Sequence, residues 1–324
     1  MESTRNDLIE LLEKNKDDYV SGQELSRQLN ISRTAVWKHM KELEKDGYMI
    51  EAVSRKGYRI TQFPSKLSPN TIQWGLHTNW IGKKIIHREQ VDSTQIIANQ
   101  LAREGAEHGT IVIADEQTAG KGRMSRPWHS AKGKGIWMSI VLRPNMMPQH
   151  APQLTLLTAT VLAECIDHYM GVRPSIKWPN DIFIHGKKTA GILTEMQAEQ
   201  DRIQYVVLGI GINVNQDEHD IPPELRSIAT SVKQETNQEW DLRESIQHIL
   251  SGFEVSYEHY MANGFAHIKQ TWEKYGYRIG ETVTVETLQR TWQTVIVGIA
   301  EDGALLIKEE DGNVDKLYSA EIQW

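Results

Sequence analysis

The sequence predicts an α+β multidomain protein, and three changes of pattern along its 324 residues carry that expectation. Short amphipathic helical stretches and a basic hairpin come first. Strand-like and helical runs then alternate through the middle, where several strands follow one another without an intervening helix, as hairpins do. From Ile279 onward the apolar period falls to two, the repeat of short half-buried strands.

Over residues 7–14, Leu8, Ile9, Leu11 and Leu12 give one apolar helix face. Ser21-Gly-Gln-Glu24 has capping-box spacing and opens a second helix through Leu25 and Leu29. After a turn at Asn30-Ile31, Ser32 caps a third helix, whose Val36, Met40 and Leu43 fall on one buried face. Gly47 stops it, and residues 49–53 and 58–60 read as a hairpin around Ser54-Arg-Lys-Gly57. Short helices followed by a two-stranded wing outline a winged helix-turn-helix, although a helical protein-interaction module has a similar outline.

Charge favours DNA. The formal net charge is −7, yet residues 1–66 carry 12 Lys/Arg against 11 Asp/Glu, while the remainder carries 24 against 32, and within 27–59 the count sharpens to eight basic residues against four acidic. A basic patch on an acidic protein is a candidate polyanion contact. The residues placed to meet DNA are Gln23, Ser32, Arg33, Thr34, Trp37, Lys38 and Lys41 on the helices, with Arg55 and Lys56 on the wing. Phosphates and base edges need donors at such positions.

Pro64 and Pro69 lie among polar residues over 61–70, a linker signature that sets the first boundary at residue 64. Strands are expected over 85–90, 110–115, 135–143, 175–177, 181–184, 192–196 and 205–213, with helices over 93–104, 152–170, 241–263 and 265–274. These make a central domain, residues 65–275. In residues 276–324, Val283 and Val285, then Val295, Val297 and Ile299, then Leu305 and Ile307, then Val314 and Leu317 alternate as strands, with Asp302-Gly303 and Asp311-Gly312 as turns. So short a segment is expected to close as a small barrel.

Hydrophobic residues make up 39% of the chain, enough for a sizeable core, and no apolar run approaches a membrane span. No cleavable leader pattern occurs, and the single cysteine, Cys165, falls in the apolar pattern of the long helix, where a buried inert thiol is expected. The expected location is the cytoplasm, with no membrane partner.

The most informative chemistry lies between Gln117 and Trp128, which reads Gln-Thr-Ala-Gly-Lys-Gly-Arg-Met-Ser-Arg-Pro-Trp. Gly120 and Gly122 let the backbone approach a ligand closely. Lys121, Arg123 and Arg126 suit phosphate, and the flat ring of Trp128 suits a nucleobase. A solvated surface loop is the plain alternative, against which a second unusual string weighs: Lys177-Trp-Pro-Asn-Asp181, followed by Gly186-Lys-Lys-Thr-Ala-Gly-Ile-Leu193. No Walker A motif or Lys-x-Asp-Gly occurs, and Ser125 stands where a full Gly-x-Gly-x-x-Gly would have its third glycine.

Together with Ser93-Thr94 before them and Gly209-Ile-Gly-Ile-Asn213 after them, these strings resemble the biotin–protein ligase family. The helix-turn-helix start resembles its bifunctional members, ligase and biotin-operon repressor in one chain. The family's Gly-Arg-Gly-Arg has Lys121 at its first arginine here, and its Ser-Thr-Asn becomes Ser93-Thr94-Gln95. The resemblance implies a central α/β ligase domain resembling class II aminoacyl-tRNA synthetases and an SH3-like C-terminal β-barrel. It also implies a reaction in which biotin and ATP, with Mg²⁺, form biotinyl-adenylate, which then biotinylates a lysine of a biotin carboxyl carrier protein. Its implied catalytic residues are Lys188 and Arg123. Ser93, Thr94, Gln95, Gln117, Lys121, Gly122, Arg123 and Lys188 would bind biotin. Arg123, Arg126, Trp128, Lys177 and Asn213 would bind the nucleotide, and Asp181 would orient Lys188 or help hold Mg²⁺, with no metal site built by a protein motif. Operator DNA and a homodimer of the adenylate-bound form complete the implied partners. A ligand-sensing repressor without catalysis, and a lipoate–protein ligase, are the alternative readings.

Overall fold

The computed structural model describes residues 2–15, 17–62, 64, 66–287 and 290–323 and divides into two compact units, Met1–His77 and Thr78–Trp324. In the first, α1 (Glu2–Lys14), α2 (Gly22–Gln28) and α3 (Arg33–Lys45) precede the antiparallel pair β1 (Met49–Val53) and β2 (Gly57–Gln62). The expected caps are present: Ser21 Oγ accepts from the Glu24 amide and Ser32 Oγ from the Ala35 amide, each at 3.1 Å. Val36, Met40 and Leu43 are buried with Leu8, Ile9, Leu12 and Leu25. Helix α1 begins earlier than its apolar pattern suggests, and Arg5 ties it to Glu42 and Asp46 of the α3 end at 2.8 and 3.1 Å.

Val20 exchanges two 2.9 Å backbone hydrogen bonds with Tyr58, adding an isolated bridge to the hairpin. Gly57 sits there at φ +126°, where a Cβ would come within 2.1 Å of the Val20 carbonyl, so only glycine fits. Of the expected linker over 61–70, Phe63 and Ser65 lie outside the described residues. Helix α4 (Pro69–Gln73) begins at a Ser68–Thr71 capping box, and Trp74 after it is buried edge-on against Tyr48.

The second unit is built on a mixed sheet ordered β3-β4-β6-β10-β9-β8-β7, with β5 paired to β4. In chain order its elements are β3 (Ile85–Val91), α5 (Thr94–Arg103), β4 (Thr110–Lys121), β5 (Pro127–Ser130), β6 (Gly135–Leu142), α6 (Ala151–His168), β7 (Ser175–Lys177), β8 (Asp181–Ile184), β9 (Lys187–Glu199) and β10 (Arg202–Asn213). Then follow α7 (Val232–Thr236), α8 (Leu242–Asn263) and α9 (Ala266–Tyr275). Among the described strands of this sheet, β3 and β4 pair parallel and the other pairs are antiparallel, as the hairpin-rich pattern predicts. Ala98 and Ala102 of α5 pack on Val112, Val141 and Val207, so α5 covers one part of a sheet face. Ser139 and Gly209 share that face by the period of two and lie beyond the helix N-terminus, which leaves room for a cavity there. Helix α6, more apolar than polar, is buried along most of its length, and burial pushes the Cys165 thiol up to about 12, so it is inert at neutral pH.

The C-terminal strands β11 (Thr282–Glu286), β12 (Thr291–Ile299), β13 (Leu305–Lys308), β14 (Val314–Leu317) and β15 (Glu321–Gln323) form one antiparallel sheet, ordered β14-β13-β12-β11-β15. Both expected Asp-Gly turns are present, with Gly303 at φ +85° and Gly312 at φ +88°. Trp178 Nε1 donates to the Gly303 carbonyl at 3.1 Å and Gln153 Nε2 to that of Glu301 at 2.8 Å, fastening this sheet to α6 and the β7–β8 turn.

Candidate functional site

A cavity of about 640 Å³ opens where the N-terminus of α5 meets the sheet. Ser93 caps that helix, its Oγ accepting from the Gln95 amide at 3.3 Å. Thr94 donates from its amide and hydroxyl to Gln117 Oε1 at 2.9 and 3.1 Å, while Gln117 Nε2 donates to Ser130 Oγ at 2.9 Å. Ser139 Oγ lies 2.9 Å from Thr94 Oγ1 and 3.1 Å from Gln95 Oε1. Each hydroxyl has one proton, so the Thr94 and Ser139 protons serve three contacts, and this uncharged floor can re-aim toward a ligand that supplies donors and acceptors. Gln95 is fully engaged: its Nε2 donates to Glu195 Oε2 at 3.0 Å and to the Val207 carbonyl at 3.2 Å. It fits against β10 because Gly209 is bare, a Cβ there standing 2.6 Å from Gln95 Oε1.

Strand β4 carries the glycine-rich string to Lys121 and pairs with β5 through Gly120↔Trp128 and Lys121↔Pro127. Between them, Gly122 donates to the Arg126 carbonyl at 2.8 Å around a tight turn. Met124 and Ser125 there adopt φ +55° and +59°, a left-handed pair uncommon for residues with side chains, and Met124 is 82% exposed. Arg123 Nη1 crosses to Asn180 Oδ1 at 3.1 Å, joining the two strings that stood far apart in the sequence. Asn180 is in turn fixed to Ile192 by two 2.9 Å bonds. Trp128 lies on β9 and β10 where Gly191 and Gly211 leave space; a Cβ on Gly211 would come within 2.7 Å of the indole.

Lys188 is aimed by an irregularity. The β8–β9 register passes from Ile182↔Ala190 to Phe183↔Lys188, a bulge of the kind that redirects side chains. Its Nζ stands 2.8 Å from Asp181 Oδ1 and 5.3 Å from the centre of the Trp128 ring. Lys177 lies 5.3 Å over Phe183.

The cavity wall brings together Ser93, Thr94, Gln95, Gln117, Lys121, Gly122, Arg123, Arg126, Trp128, Lys177, Asp181 and Lys188. Asn213 is not on that wall: its Nδ2 donates to the Thr230 carbonyl at 3.0 Å and its Oδ1 accepts from Gln216 at 2.9 Å. Sequence reasoning missed Ser139, Asn180 and the clearance glycines, although Asn180, Gly191, Gly209 and Gly211 sat inside the quoted strings. It also missed Glu286, Thr287, Ser319 and Ala320, which the C-terminal sheet adds to the wall with no signal in their own sequence. Asp217, His219 and Asp220 cluster closely enough to suggest a metal, but Lys233 at 2.9 Å and Lys134 at 3.6 and 3.7 Å neutralise them.

In the first unit all nine residues expected to meet DNA are exposed, from Gln23 to Lys56. Trp37 is 54% exposed beside Arg33, Thr34, Lys38 and Lys41 on α3, while Arg55 stands in the hairpin turn at φ +65°. Lys41 also pairs with Glu44 at 2.6 Å.

Comparison with known proteins agrees with this layout. Family models for the biotin/lipoate A/B protein ligase family, an HTH domain and the biotin protein ligase C-terminal domain match residues 88–213, 4–59 and 279–323. Bifunctional ligase/repressors from Bacillus spizizenii and Bacillus subtilis are each 50% identical over 324 residues, covering 100% of this chain and 99% of theirs. A biotin protein ligase from Aquifex aeolicus, solved in complex with biotin and ATP, superposes with a TM-score of 0.65 at 30% identity, covering 74% of this chain and 99% of that one.

Proposed function

Since this chain belongs to the family of bifunctional biotin ligase/repressors, we propose that its cavity makes biotinyl-adenylate from biotin and ATP and passes the biotinyl group to a lysine of a biotin carboxyl carrier protein, while its N-terminal unit represses transcription at an operator. One observation carries the catalytic half: Lys121, Arg123, Arg126, Lys177 and Lys188 converge on one wall, beside a floor of uncharged hydroxyls and amides. Such a floor suits a ureido ring, which both donates and accepts, and the cations suit a carboxylate meeting a triphosphate.

In this reading Ser93, Thr94 and Gln117 bind the ureido ring, Gln95 braces them, and Lys121 and Gly122 close the biotin side. A carboxylate oxygen of biotin attacks the α-phosphorus, a P–O bond forms, and pyrophosphate leaves with the bonding pair. Lys188 exchanges its contact with Asp181 for the two reacting anions and offsets their repulsion as they meet. Arg123 and Arg126 hold phosphate oxygens, Lys177 lies toward the nucleotide, and Trp128 gives adenine a stacking face. Asn213 reaches adenine only by exchanging one of its bonds to Thr230 or Gln216. Mg²⁺ enters with ATP as part of the substrate, and Asp181 is the cavity carboxylate nearest to Lys188. In the second step the carrier amine attacks the acyl carbon, AMP leaves, and the 117–128 loop keeps water from the anhydride.

The division into residues 1–64, 65–275 and 276–324 assigns DNA binding, catalysis and a C-terminal domain in turn. A mixed, largely antiparallel sheet backed by helices supports a likeness of the centre to class II aminoacyl-tRNA synthetases, and five short antiparallel strands support an SH3-like C-terminal domain. Among the described residues no helix is long and apolar enough to cross a membrane. DNA and carrier partners put the protein in the cytoplasm, acting as a homodimer on its operator when it holds the adenylate.

The test is incubation with ATP and biotin, reading pyrophosphate release and retained adenylate by mass spectrometry, with lipoate in parallel. Equal turnover of lipoate would favour a lipoate ligase. Ligand-dependent operator binding without pyrophosphate would favour a sensor without catalysis.

A further inference from the structure

We propose that Thr230 and Glu235 are positioning residues for Lys188, holding a three-residue segment that completes the sheet behind it. The proposal rests on the role assigned above to Lys188. Lys188 sits where the ladder is weakest on both sides. Toward β8 the register slips at the bulge, and toward β10 the ladder ends at the pair Ile212↔Ala190, two residues away. Segment 228–230 takes the place of β10 there: the Lys188 amide donates to the Ile228 carbonyl at 2.8 Å, and the Thr230 amide donates to the Lys188 carbonyl at 3.0 Å. Two backbone bonds on one residue set its Cα–Cβ direction, and so where the ammonium is carried.

The segment belongs to no strand, so its own position must come from elsewhere. The Ile228 and Ala229 amides donate to the Leu225 carbonyl at 3.0 and 2.8 Å, and Asn213 Nδ2 holds the Thr230 carbonyl. The buried Thr230 hydroxyl donates to Glu235 Oε1 at 2.6 Å. The other Glu235 oxygen lies 2.6 Å from Nδ1 of His185, in the turn that leads into Lys188. One carboxylate therefore ties both the segment behind the lysine and the turn before it. Neither Thr230 nor Glu235 lines the cavity, so each acts through Lys188.

Thr230→Val keeps the side-chain volume and the backbone bonds and removes the hydroxyl donor. Its kcat for adenylate formation should fall roughly tenfold to a hundredfold, the scale of a small misplacement of a catalytic group, with KM for biotin and ATP little changed. Transfer from supplied biotinyl-adenylate should be spared, and Thr230→Ser should restore the first step. Glu235→Ala should reproduce the Thr230→Val pattern, and decides the matter should the valine variant not fold. Normal adenylate formation in the folded variants would overturn the proposal, as would equal loss in both half-reactions, which marks a merely structural role. Lys188→Ala in the same assay separates the two ideas: if it forms adenylate normally, the reading of the cavity fails first.

Discussion

Lys188 Nζ stands 2.8 Å from Asp181 Oδ1, so this cation of the cavity wall is already matched by a carboxylate. A ligand anion must compete with that carboxylate, which favours anions that bring hydrogen-bond geometry as well as charge. Lys188→Ala should therefore keep the fold and lose most adenylate formation, by on the order of 3–4 kcal/mol in the transition state. Transfer from supplied adenylate should suffer less, because the two anions are by then joined. Pyrophosphate release near the wild-type rate at saturating biotin and ATP would show the catalytic charge to be elsewhere.

Arg123 differs, since its guanidinium reaches Asn180 across the cavity at 3.1 Å and so links the loop to the opposite turn. Arg123→Ala should release the adenylate faster and leave it more exposed to hydrolysis. Dissociation measured by a chase with unlabelled biotin and ATP checks this, and an unchanged off-rate would count against it.

The compact unit that ends at His77 contains the capped α3, the basic wing and Trp74 in its core. A protein beginning at Thr78 should lose operator binding and retain adenylate formation, because every cavity residue lies after that point. Operator affinity of the full chain should fall steeply with added salt as counterions are released. Loss of ligation by a truncated protein that remains folded would contradict separable functions.

Biotin with ATP, more than either alone, should move the protein toward a dimer and tighten operator binding, since one recognition helix per chain usually needs two half-sites. By linkage the dimer must then hold the adenylate more tightly than the monomer does. Sedimentation equilibrium with and without both ligands reads the effect directly, and an unaltered monomer–dimer balance would refute it.

Glu254 of α8 is buried and accepts from the amides of Asn79, Trp80 and Ile81 at 2.6, 2.9 and 3.0 Å. Burial raises its pKa, but the three amide bonds and the charge of Lys83 outweigh it, and the net direction is downward. A lowered carboxylate pKa stabilises the fold above the ordinary glutamate range, and that stability is lost as pH falls through the lowered value. Glu254→Gln should cost on the order of 3 kcal/mol at pH 7, and the gap from wild type should shrink on acidification. Urea unfolding at pH 7 and at an acidic pH tests it; a gap that widens in acid would reverse the sign.

Features governed by neighbours in the chain were legible in the sequence. The Ser21 and Ser32 caps, the Val36–Met40–Leu43 stripe, the Asp-Gly turns and most strand positions depend on residues a few places apart, where periodicity and capping operate. The two cationic strings were legible too, as composition and as family resemblance. Their meeting through Arg123 and Asn180 was not, because it depends on strand register over 57 residues of separation.

The tertiary structure alone decided which side chains share the cavity. Ser139 reads as an ordinary strand residue until register sets it beside Thr94 and Gln95, and Asn213 is turned to Thr230 rather than to the wall. Glu286, Thr287, Ser319 and Ala320 reach the site because the C-terminal sheet is fastened to Trp178. Lys188 was nameable from its string, but its aim comes from a bulge and a borrowed backbone partner. The bulge is local to the β8–β9 hairpin, but the backbone partner comes from residues 228–230, and nothing in the residues flanking Lys188 encodes that pairing.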